Sequence, residues 1–152
     1  MAEIYDIVIV GAGPGGLAAG IYGSRSRLKT IILQKGRPGG QAATTEDLEN
    51  YPGFGRGTTG PQLMQAMADH AESFGTEIVR DEVIDVDLEG EIKRIKTKSG
   101  KEYQAKIVIL ALGAEPRMLN IKGENKFRGK GVSYCATCDA DFFEELDVVV
   151  VG

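Results

Sequence analysis

Two short motifs contain the residue types that can do chemistry in this chain. One is the glycine-rich string Gly11-Ala-Gly-Pro-Gly-Gly16, and the other is Cys135-Ala-Thr-Cys138, with Asp139 directly after it. Glycines let a phosphate group approach the backbone closely, and two cysteines three positions apart can close a small, reducible disulfide. A carboxyl group beside the cysteines can move a proton to or from a thiolate. The two motifs thus indicate phosphate binding and dithiol redox chemistry.

The glycine-rich string lies between a predicted strand and a predicted helix. Tyr5–Val10 is a β-branched apolar run typical of a buried strand, and Leu17–Ser24 is alanine-rich and typical of a helix. In this frame, Gly11, Gly13 and Gly16 form a dinucleotide-binding fingerprint: a tight turn, room for a pyrophosphate, and close packing of helix on strand. The free N–H groups of the helix N-terminus would receive the phosphate.

The ribose contact of this fingerprint departs from the usual pattern. An acidic residue is expected about 20 positions beyond the glycines. The second predicted strand, Lys29–Leu33, is instead followed by Gln34 and Lys35. The amide of Gln34 can still hydrogen-bond a ribose hydroxyl, so the sequence continues to predict a bound dinucleotide.

The cysteine pair is predicted to be redox-active rather than metal-binding. A structural zinc site needs four ligands, and the only classical third ligand beside Cys135 and Cys138 is His70, on a separate predicted helix. A dinucleotide fingerprint together with this pair indicates electron transfer between a flavin and a dithiol, because a flavin converts hydride into electrons that sulfur accepts. Asp139 is the candidate acid–base group, with a helix cap as its alternative role.

Composition and charge narrow the class of protein. The 152 residues have a net charge of −4, which argues against a nucleic-acid-binding surface. The longest apolar runs have strand length, well below the roughly 20 residues of a membrane span. The N-terminus lacks the pattern of a signal peptide. We therefore expect a cytoplasmic protein that binds no nucleic acid, membrane or metal.

The remaining elements predict an α/β domain built on a parallel sheet. A long glycine-rich loop covers Gly36–Gly60, and a helix follows with Thr59 as its N-cap and Gly75 at its end. Further strands are predicted at Glu77–Val79, Val83–Leu88, Ile92–Thr97, Glu102–Ala105, Ile107–Leu112 and Asp147–Val151. The last of these, followed by Gly152, is typical of the first strand of a second nucleotide-binding unit, so we expect the chain to be the N-terminal part of a longer protein.

The set of motifs resembles that of the bacterial low-molecular-weight thioredoxin reductases, which are FAD-dependent pyridine nucleotide-disulfide oxidoreductases. The resemblance covers essentially the whole chain and rests on Gly11–Gly16, Gly39–Gln41, Thr44–Thr45, Glu49–Gly53, Gly60–Pro61, Ala111–Ala114, Pro116–Arg117, Gly129–Val132 and Cys135–Asp139. It implies a Rossmann-like FAD-binding domain over residues 1–114, with a parallel sheet and a β-meander. Residues 115–152 would begin an NADPH-type domain that carries the cysteines and is incomplete here.

The resemblance also implies the roles of individual residues. FAD, reduced by NADPH, would reduce a Cys135–Cys138 disulfide, with Cys138 nearer the flavin, Cys135 attacking thioredoxin and Asp139 exchanging the proton. The implied FAD-binding residues are Gly11, Ala12, Gly13, Pro14, Gly15, Gly16, Gln34, Lys35, Gly39, Gly40, Gln41, Thr45, Asn50, Val83, Ala111, Leu112 and Gly113. The NADPH fingerprint would begin at Gly152, so the NADPH site is expected outside this chain. The complete enzyme would be a homodimer, and the chain alone would be inactive.

Two departures from the family pattern are mild. Leu112 stands where threonine is common, and Ala140 stands where a glycine often follows the cysteine motif. Three other functions stay open: a related flavin-dependent reductase with another donor such as ferredoxin, the flavin-linked partner of a peroxide-reducing system, and a flavin-binding fragment without turnover.

Overall fold

The structure is a computed structural model that describes residues 3–45, 47–128 and 130–151. The chain divides into two units between Gly113 and Ala114, which are described in turn. Gly129 and Gly152, on which parts of the resemblance depend, lie outside the described residues.

A six-stranded sheet forms the centre of the first unit. In chain order its strands are Ile4–Val10 (β1), Thr30–Gln34 (β2), Glu77–Arg80 (β3), Val83–Asp87 (β4), Lys93–Thr97 (β5) and Glu102–Leu110 (β6). They lie side by side in the order β3-β2-β1-β6-β5-β4. β1, β2, β3 and β6 are parallel, whereas β5 is antiparallel to both β4 and β6. The predicted α/β class with a parallel sheet and a β-meander is confirmed.

Residues Ile7–Val10 of strand β1 are all apolar, and they are buried on both faces of the sheet. Two helices, Pro14–Arg25 (α1) and Gly60–Ser73 (α2), supply the cover on one face. Ile9 of β1 packs in one buried cluster with Leu17 of α1 and Leu63 of α2. Val8 points to the opposite face, since successive strand residues alternate, and packs there with Leu33 of β2.

The predicted limits of α2 are confirmed. The hydroxyl of Thr59 accepts a hydrogen bond from the N–H of Gln62 at 3.3 Å, and the side-chain oxygen of Gln62 accepts from the N–H of Thr59 at 3.0 Å. This reciprocal capping box satisfies two N–H groups at the start of the helix. At the other end, Gly75 follows with φ +90°, a left-handed conformation that glycine adopts at low cost.

Strand β6 differs from its prediction in length and burial. The sequence pattern predicts two strands, Glu102–Ala105 and the buried Ile107–Leu112, whereas the structure has one continuous strand. Lys106, which interrupts the apolar pattern, does not break the strand, because Ala105 and Ile107 on either side of it continue the ladder with β1. Its ammonium group also pairs with Asp6 at 2.6 Å. Ile107 and Leu110 are each 51% exposed, so the prediction of a fully buried strand is wrong here.

The second unit contains only short elements among its described residues. These are the helices Glu124–Phe127 (α3) and Ala136–Asp139 (α4) and a 3₁₀ turn at Ala140–Phe143. The predicted strand Asp147–Val151 is not formed in the described part of the chain, and Val148 to Val151 are 59% to 92% exposed. A strand needs a hydrogen-bonded neighbour, and no other described segment of this unit is a strand that could provide one.

Asp6 links β1 to β6 and to the residue before β2, and it gives a pH-dependent prediction. Its carboxylate accepts hydrogen bonds from the Lys106 ammonium and, at 2.9 Å, from the N–H of Lys29, and these contacts lower the pKa of Asp6. A lowered pKa stabilises the fold above the ordinary pKa of about 3.8, and this stabilisation disappears as the pH falls through the folded-state value. We expect Asp6→Asn to lower the urea midpoint at pH 7 and to change it much less near pH 3.

The control for Asp6→Asn is Asp47→Asn, which makes the same charge change at an exposed loop position. We expect this control to leave the urea midpoint within experimental error at pH 7. An equal loss for Asp6→Asn at both pH values would contradict the role given to its ionised form.

Candidate functional site

The glycine-rich string forms the turn that joins β1 to α1. Gly13 is the N-cap residue of α1 and Pro14 is its first residue. The turn is held from both sides, because the N–H of Gly11 donates to the carbonyl of Leu33 at 2.9 Å and the N–H of Ala111 donates to the carbonyl of Val10 at 2.8 Å. The N-terminus of a helix of twelve residues is therefore fixed at the edge where the parallel strands end.

The glycines of this turn separate into two kinds. A Cβ atom on Gly11 would lie 2.2 Å from the carbonyl oxygen of Ala111, and one on Gly16 would lie 1.9 Å from the carbonyl oxygen of Gly11. A Cβ atom on Gly13 or Gly15 would meet nothing within 4 Å. Packing thus requires glycine at positions 11 and 16, where a side chain would clash with the backbone. At Gly13 and Gly15 there is open space in front of the helix N-terminus. An open cradle of this kind suits a phosphate group.

A second glycine pair lies against the same turn. The N–H of Gly39 donates to the carbonyl of Ala12 at 2.7 Å, and Gly40, which begins a 3₁₀ turn over Gly40–Thr44, approaches Gly13. A Cβ atom on Gly40 would lie 3.4 Å from the Cα atom of Gly13. The predicted site residues Gly39 and Gly40 are therefore next to the open cradle.

The following loop residues are held through the start of α2. The carbonyl of Thr45 accepts a hydrogen bond from the N–H of Gly60 at 2.9 Å, and a Cβ atom on Gly60 would lie 1.9 Å from the carbonyl oxygen of Ala42. Gln41 belongs to the 3₁₀ turn, and its carbonyl accepts from the hydroxyl of Thr44 at 2.7 Å. Asn50 is exposed further along the loop, and no described contact brings it to the glycine turn.

Gln34 contacts the glycine turn directly. Its side-chain oxygen accepts a hydrogen bond from the N–H of Ala12 at 2.7 Å, and its side-chain nitrogen donates to the carbonyl of Arg37 at 3.3 Å. A neutral amide can make both bonds, whereas a carboxylate has no hydrogen for the second. The glutamine in place of the expected acidic residue therefore links the turn to the loop after β2. Its ribose contact stays a prediction.

An ion-pair cluster brings Lys35 close to the start of β4. The Lys35 ammonium lies 2.9 Å from the carboxylate of Glu82, and that of Lys98 lies 3.1 Å from the same group. Hydrogen bonds from Lys35 and then from Lys98 lower the pKa of Glu82. Val83, the next residue, packs half-buried against the cluster that contains Val8. The structure thus brings Lys35 to Glu82, the residue before Val83, and the binding of FAD by Lys35 and Val83 stays a prediction.

The end of β6 completes this edge of the first unit. The carbonyl oxygen of Ala111 lies where a side chain on Gly11 would have to go, so these two backbones are in close contact. Leu112 follows with 69% of its surface exposed, and Gly113 has φ +70°. Of the predicted site residues at the end of β6, Ala111 contacts the glycine turn. Leu112 and Gly113 follow it toward solvent.

In the second unit, Cys135 is disulfide-bonded and is the N-cap residue of α4. The N–H of Asp139 donates to the carbonyl of Cys135 at 3.0 Å, and the Asp139 carboxylate accepts a hydrogen bond from the hydroxyl of Ser133 at 2.5 Å. The structure therefore places the predicted acid–base group within one helical turn of a disulfide. The side chain of Cys138 lies outside the described part of the structure.

Glu124 is a site-supporting residue that the sequence analysis missed. Its carboxylate is 3% exposed and accepts hydrogen bonds from the N–H groups of Leu119 at 2.8 Å and Ile121 at 3.2 Å, and from the hydroxyl of Tyr134. The guanidinium of Arg128 lies 5.2 Å from the centre of the Tyr134 ring. Tyr134 precedes Cys135, so these contacts fix the backbone at the disulfide. A glutamate between a glycine and an asparagine gives no sequence signal of burial.

Neither a candidate metal site nor a candidate membrane span is present among the described residues. No group of three or more His, Cys, Asp or Glu side chains in this part of the chain could hold a metal ion. No helix within the same residues is long and apolar enough to cross a membrane.

A glycine turn with open space at a helix N-terminus and a disulfide-bonded cysteine one helical turn from a carboxylate are the features predicted for a dithiol redox protein that binds a nucleotide. Residues 5–152 match the family described as pyridine nucleotide-disulphide oxidoreductase, and the chain belongs to this family.

Comparisons with individual proteins are more specific. The thioredoxin reductase of Peptoclostridium acidaminophilum is 53% identical over 152 residues, which is all of this chain and 48% of that protein. The crystal structure of thioredoxin reductase from Streptococcus pyogenes MGAS5005 superimposes with a TM-score of 0.84 at 40% identity, over 94% of this chain and 46% of that one. A ferredoxin-flavin thioredoxin reductase from Clostridium acetobutylicum gives 0.67 at 35% identity, over 94% and 49%. The chain spans about half the length of the curated relatives it matches.

Proposed function

We propose that the protein is a thioredoxin-disulfide reductase, in which electrons pass from NADPH through FAD and a Cys135–Cys138 disulfide to thioredoxin. One observation carries this proposal: a disulfide-bonded Cys135 at the N-cap of α4, with the Asp139 carboxylate one turn away. The similarity to thioredoxin reductases over the whole chain supports it. The domain assignment proposed from sequence, FAD binding over 1–114 and an NADPH-type domain from 115, fits the division after Gly113.

The residues of the first unit fit a bound FAD. Space for a pyrophosphate exists at Gly13 and Gly15, where an added Cβ atom meets nothing, and the α1 N-terminus offers N–H donors. Gly39, Gly40 and Ala111 border this space, and Gln34 and Lys35 would contact the ribose side of the cofactor. When bound, FAD supplies the two electrons that reduce the disulfide.

The cysteines would then carry these electrons to thioredoxin. Two electrons and two protons convert the disulfide into the thiols of Cys135 and Cys138. The Cys135 thiolate attacks one sulfur of the thioredoxin disulfide, forms a mixed disulfide and releases a thioredoxin thiolate. The Cys138 thiolate next attacks the Cys135 sulfur, which re-forms the original disulfide and releases reduced thioredoxin. Asp139 gives and takes the proton in these steps.

A visible absorption spectrum of the intact protein tests the proposal. We expect the purified protein to show an oxidised-flavin band, which NADPH bleaches and oxidised thioredoxin then restores. Without thioredoxin the band should stay bleached after a slight excess of NADPH under anaerobic conditions. A flavin that is reduced but never reoxidised by thioredoxin would contradict the proposal and favour a flavin-binding protein without this activity.

Ferredoxin is the second candidate electron donor. The similarity to the ferredoxin-flavin thioredoxin reductase of Clostridium acetobutylicum is the observation that supports ferredoxin as a candidate. The same spectrum separates the two candidates, because reduced ferredoxin and not NADPH would then bleach the flavin. A peroxide-reducing partner would be recognised by reoxidation with a peroxidase protein in place of thioredoxin.

The cellular setting and the assembly state are part of the same proposal. A disulfide that is opened in each catalytic cycle suits the reducing cytoplasm, where static disulfides are rare. We propose that the complete enzyme is a homodimer, on the strength of the family resemblance alone. Light scattering coupled to size-exclusion chromatography measures its mass directly, and a monomeric mass would contradict the homodimer.

A further inference from the structure

We propose that Ser133 is a positioning residue, whose hydroxyl holds the Asp139 carboxylate in place beside the disulfide. This inference rests on the proposed function, because it gives Ser133 a role in the proton transfer assigned to Asp139. The juxtaposition that carries it is a single hydroxyl group bonded both to the backbone of Cys135 and to the carboxylate of Asp139.

The hydroxyl of Ser133 uses its one hydrogen and one of its two lone pairs in hydrogen bonds. Its Oγ donates to Oδ2 of Asp139 at 2.5 Å and accepts from the N–H of Cys135 at 3.1 Å. The carbonyl of Cys135, at 3.3 Å, is a more distant alternative acceptor. A hydroxyl donates to one acceptor at a time, and the 2.5 Å distance to the carboxylate oxygen favours it over the carbonyl at 3.3 Å.

Helix α4 cannot hold Asp139 in place by itself. It has four residues, and a single helical turn fixes several dihedral angles for few hydrogen bonds. Asp139 is held at two points: by the helical bond of α4 from its N–H to the carbonyl of Cys135 at 3.0 Å, and by its carboxylate, which accepts from Ser133. Removing the hydroxyl would leave the backbone contact and free the side chain.

Ser133 can act as a fixed point because its neighbour is anchored. The hydroxyl of Tyr134 donates to the buried carboxylate of Glu124, which also accepts from two backbone N–H groups. The segment from Ser133 to Cys135 is therefore tied to the body of the second unit. Since Oδ2 of Asp139 accepts from Ser133, we assign proton transfer to the other oxygen, Oδ1.

The test compares Ser133→Ala with Ser133→Thr in the intact enzyme, assayed for thioredoxin reduction. We expect Ser133→Ala to lower kcat about tenfold, a part of the 10²- to 10⁴-fold that a positioned general acid contributes. The KM for thioredoxin and the flavin content should not change. Ser133→Thr keeps the hydroxyl and should restore kcat to within about twofold of the wild type, on the same reasoning.

A double-mutant cycle separates positioning from a general structural effect. If Ser133 acts through Asp139, then Ser133→Ala should change nothing further in an Asp139→Asn background, because the two effects are not additive. The same tenfold loss in both backgrounds, or equal losses for alanine and threonine, would overturn the inference. A wild type that does not reduce thioredoxin would instead overturn the proposed function, and this inference with it. An Asp139→Asn variant as active as the wild type would remove only the proton-transfer role and the inference built on it.

Discussion

Gly13→Val is expected to abolish FAD binding and to leave the protein folded. The position has φ −73° and ψ −178°, an extended backbone conformation that valine adopts readily. A Cβ atom there meets no protein atom within 4 Å, so the new side chain enters the open cradle and not the core. It would occupy the place proposed for the pyrophosphate.

The expected magnitudes differ for binding and for stability. Loss of phosphate access should raise the Kd for FAD at least about 100-fold, equivalent to roughly 2.8 kcal/mol at about 1.4 kcal/mol per tenfold. A β-branched residue is a poorer N-cap than glycine, so we expect a stability loss of only about 1 kcal/mol. Flavin retained after desalting, the FAD Kd and the thermal midpoint measure the two effects separately.

Two further valine variants serve as matched controls. Gly55→Val adds the same side chain at another open position without a positive φ, outside the glycine turn, and should leave FAD binding unchanged. Gly16→Val places its Cβ atom 1.9 Å from the carbonyl oxygen of Gly11, and should prevent correct folding. Normal flavin content in folded Gly13→Val would refute the proposed cradle.

The first half of the fold was predictable from sequence because local patterns determine it. The continuous apolar run of β1, the glycines after it and the alanine-rich helix all favour the same structure at each position. The limits of α2 were predictable for a similar reason, since Thr59 and Gly75 act on the residues next to them. The family resemblance, which the family match confirms, rests on the same local strings.

Features that depend on distant partners were not predictable. In the sequence, Lys106 looks like an interruption in β6. In the folded chain, the carboxylate of Asp6, 100 positions away, accepts a hydrogen bond from its ammonium group. Gln34 looks like a weakened ribose contact, although it also accepts from the N–H of Ala12. Glu124 looks like a surface charge in a connector, and only the folded chain surrounds it with donors.

Cys138→Ser is expected to leave flavin binding intact and to reduce thioredoxin reduction to below about 1% of the wild-type rate, since exchange requires a thiolate as the attacking group. A serine oxygen cannot form the disulfide that receives the electrons, and it cannot release thioredoxin from Cys135. The proposed FAD cradle consists of residues of the first unit, whereas the substitution lies in the second, so the flavin content should be unchanged. Unchanged turnover would remove the assignment as a dithiol reductase.

Cys135→Ser is the matched variant that separates the roles of the two cysteines. Both variants should lose turnover. They should differ in whether they form a mixed disulfide with a thioredoxin that has one activated cysteine. Cys138→Ser keeps the proposed attacking thiol, Cys135, and should form a stable mixed disulfide that non-reducing electrophoresis detects. Cys135→Ser keeps only Cys138 and should form little of it. The reverse result would exchange the two roles while leaving the disulfide reductase proposal in place, because either order requires a thiolate attack followed by resolution by the second thiol.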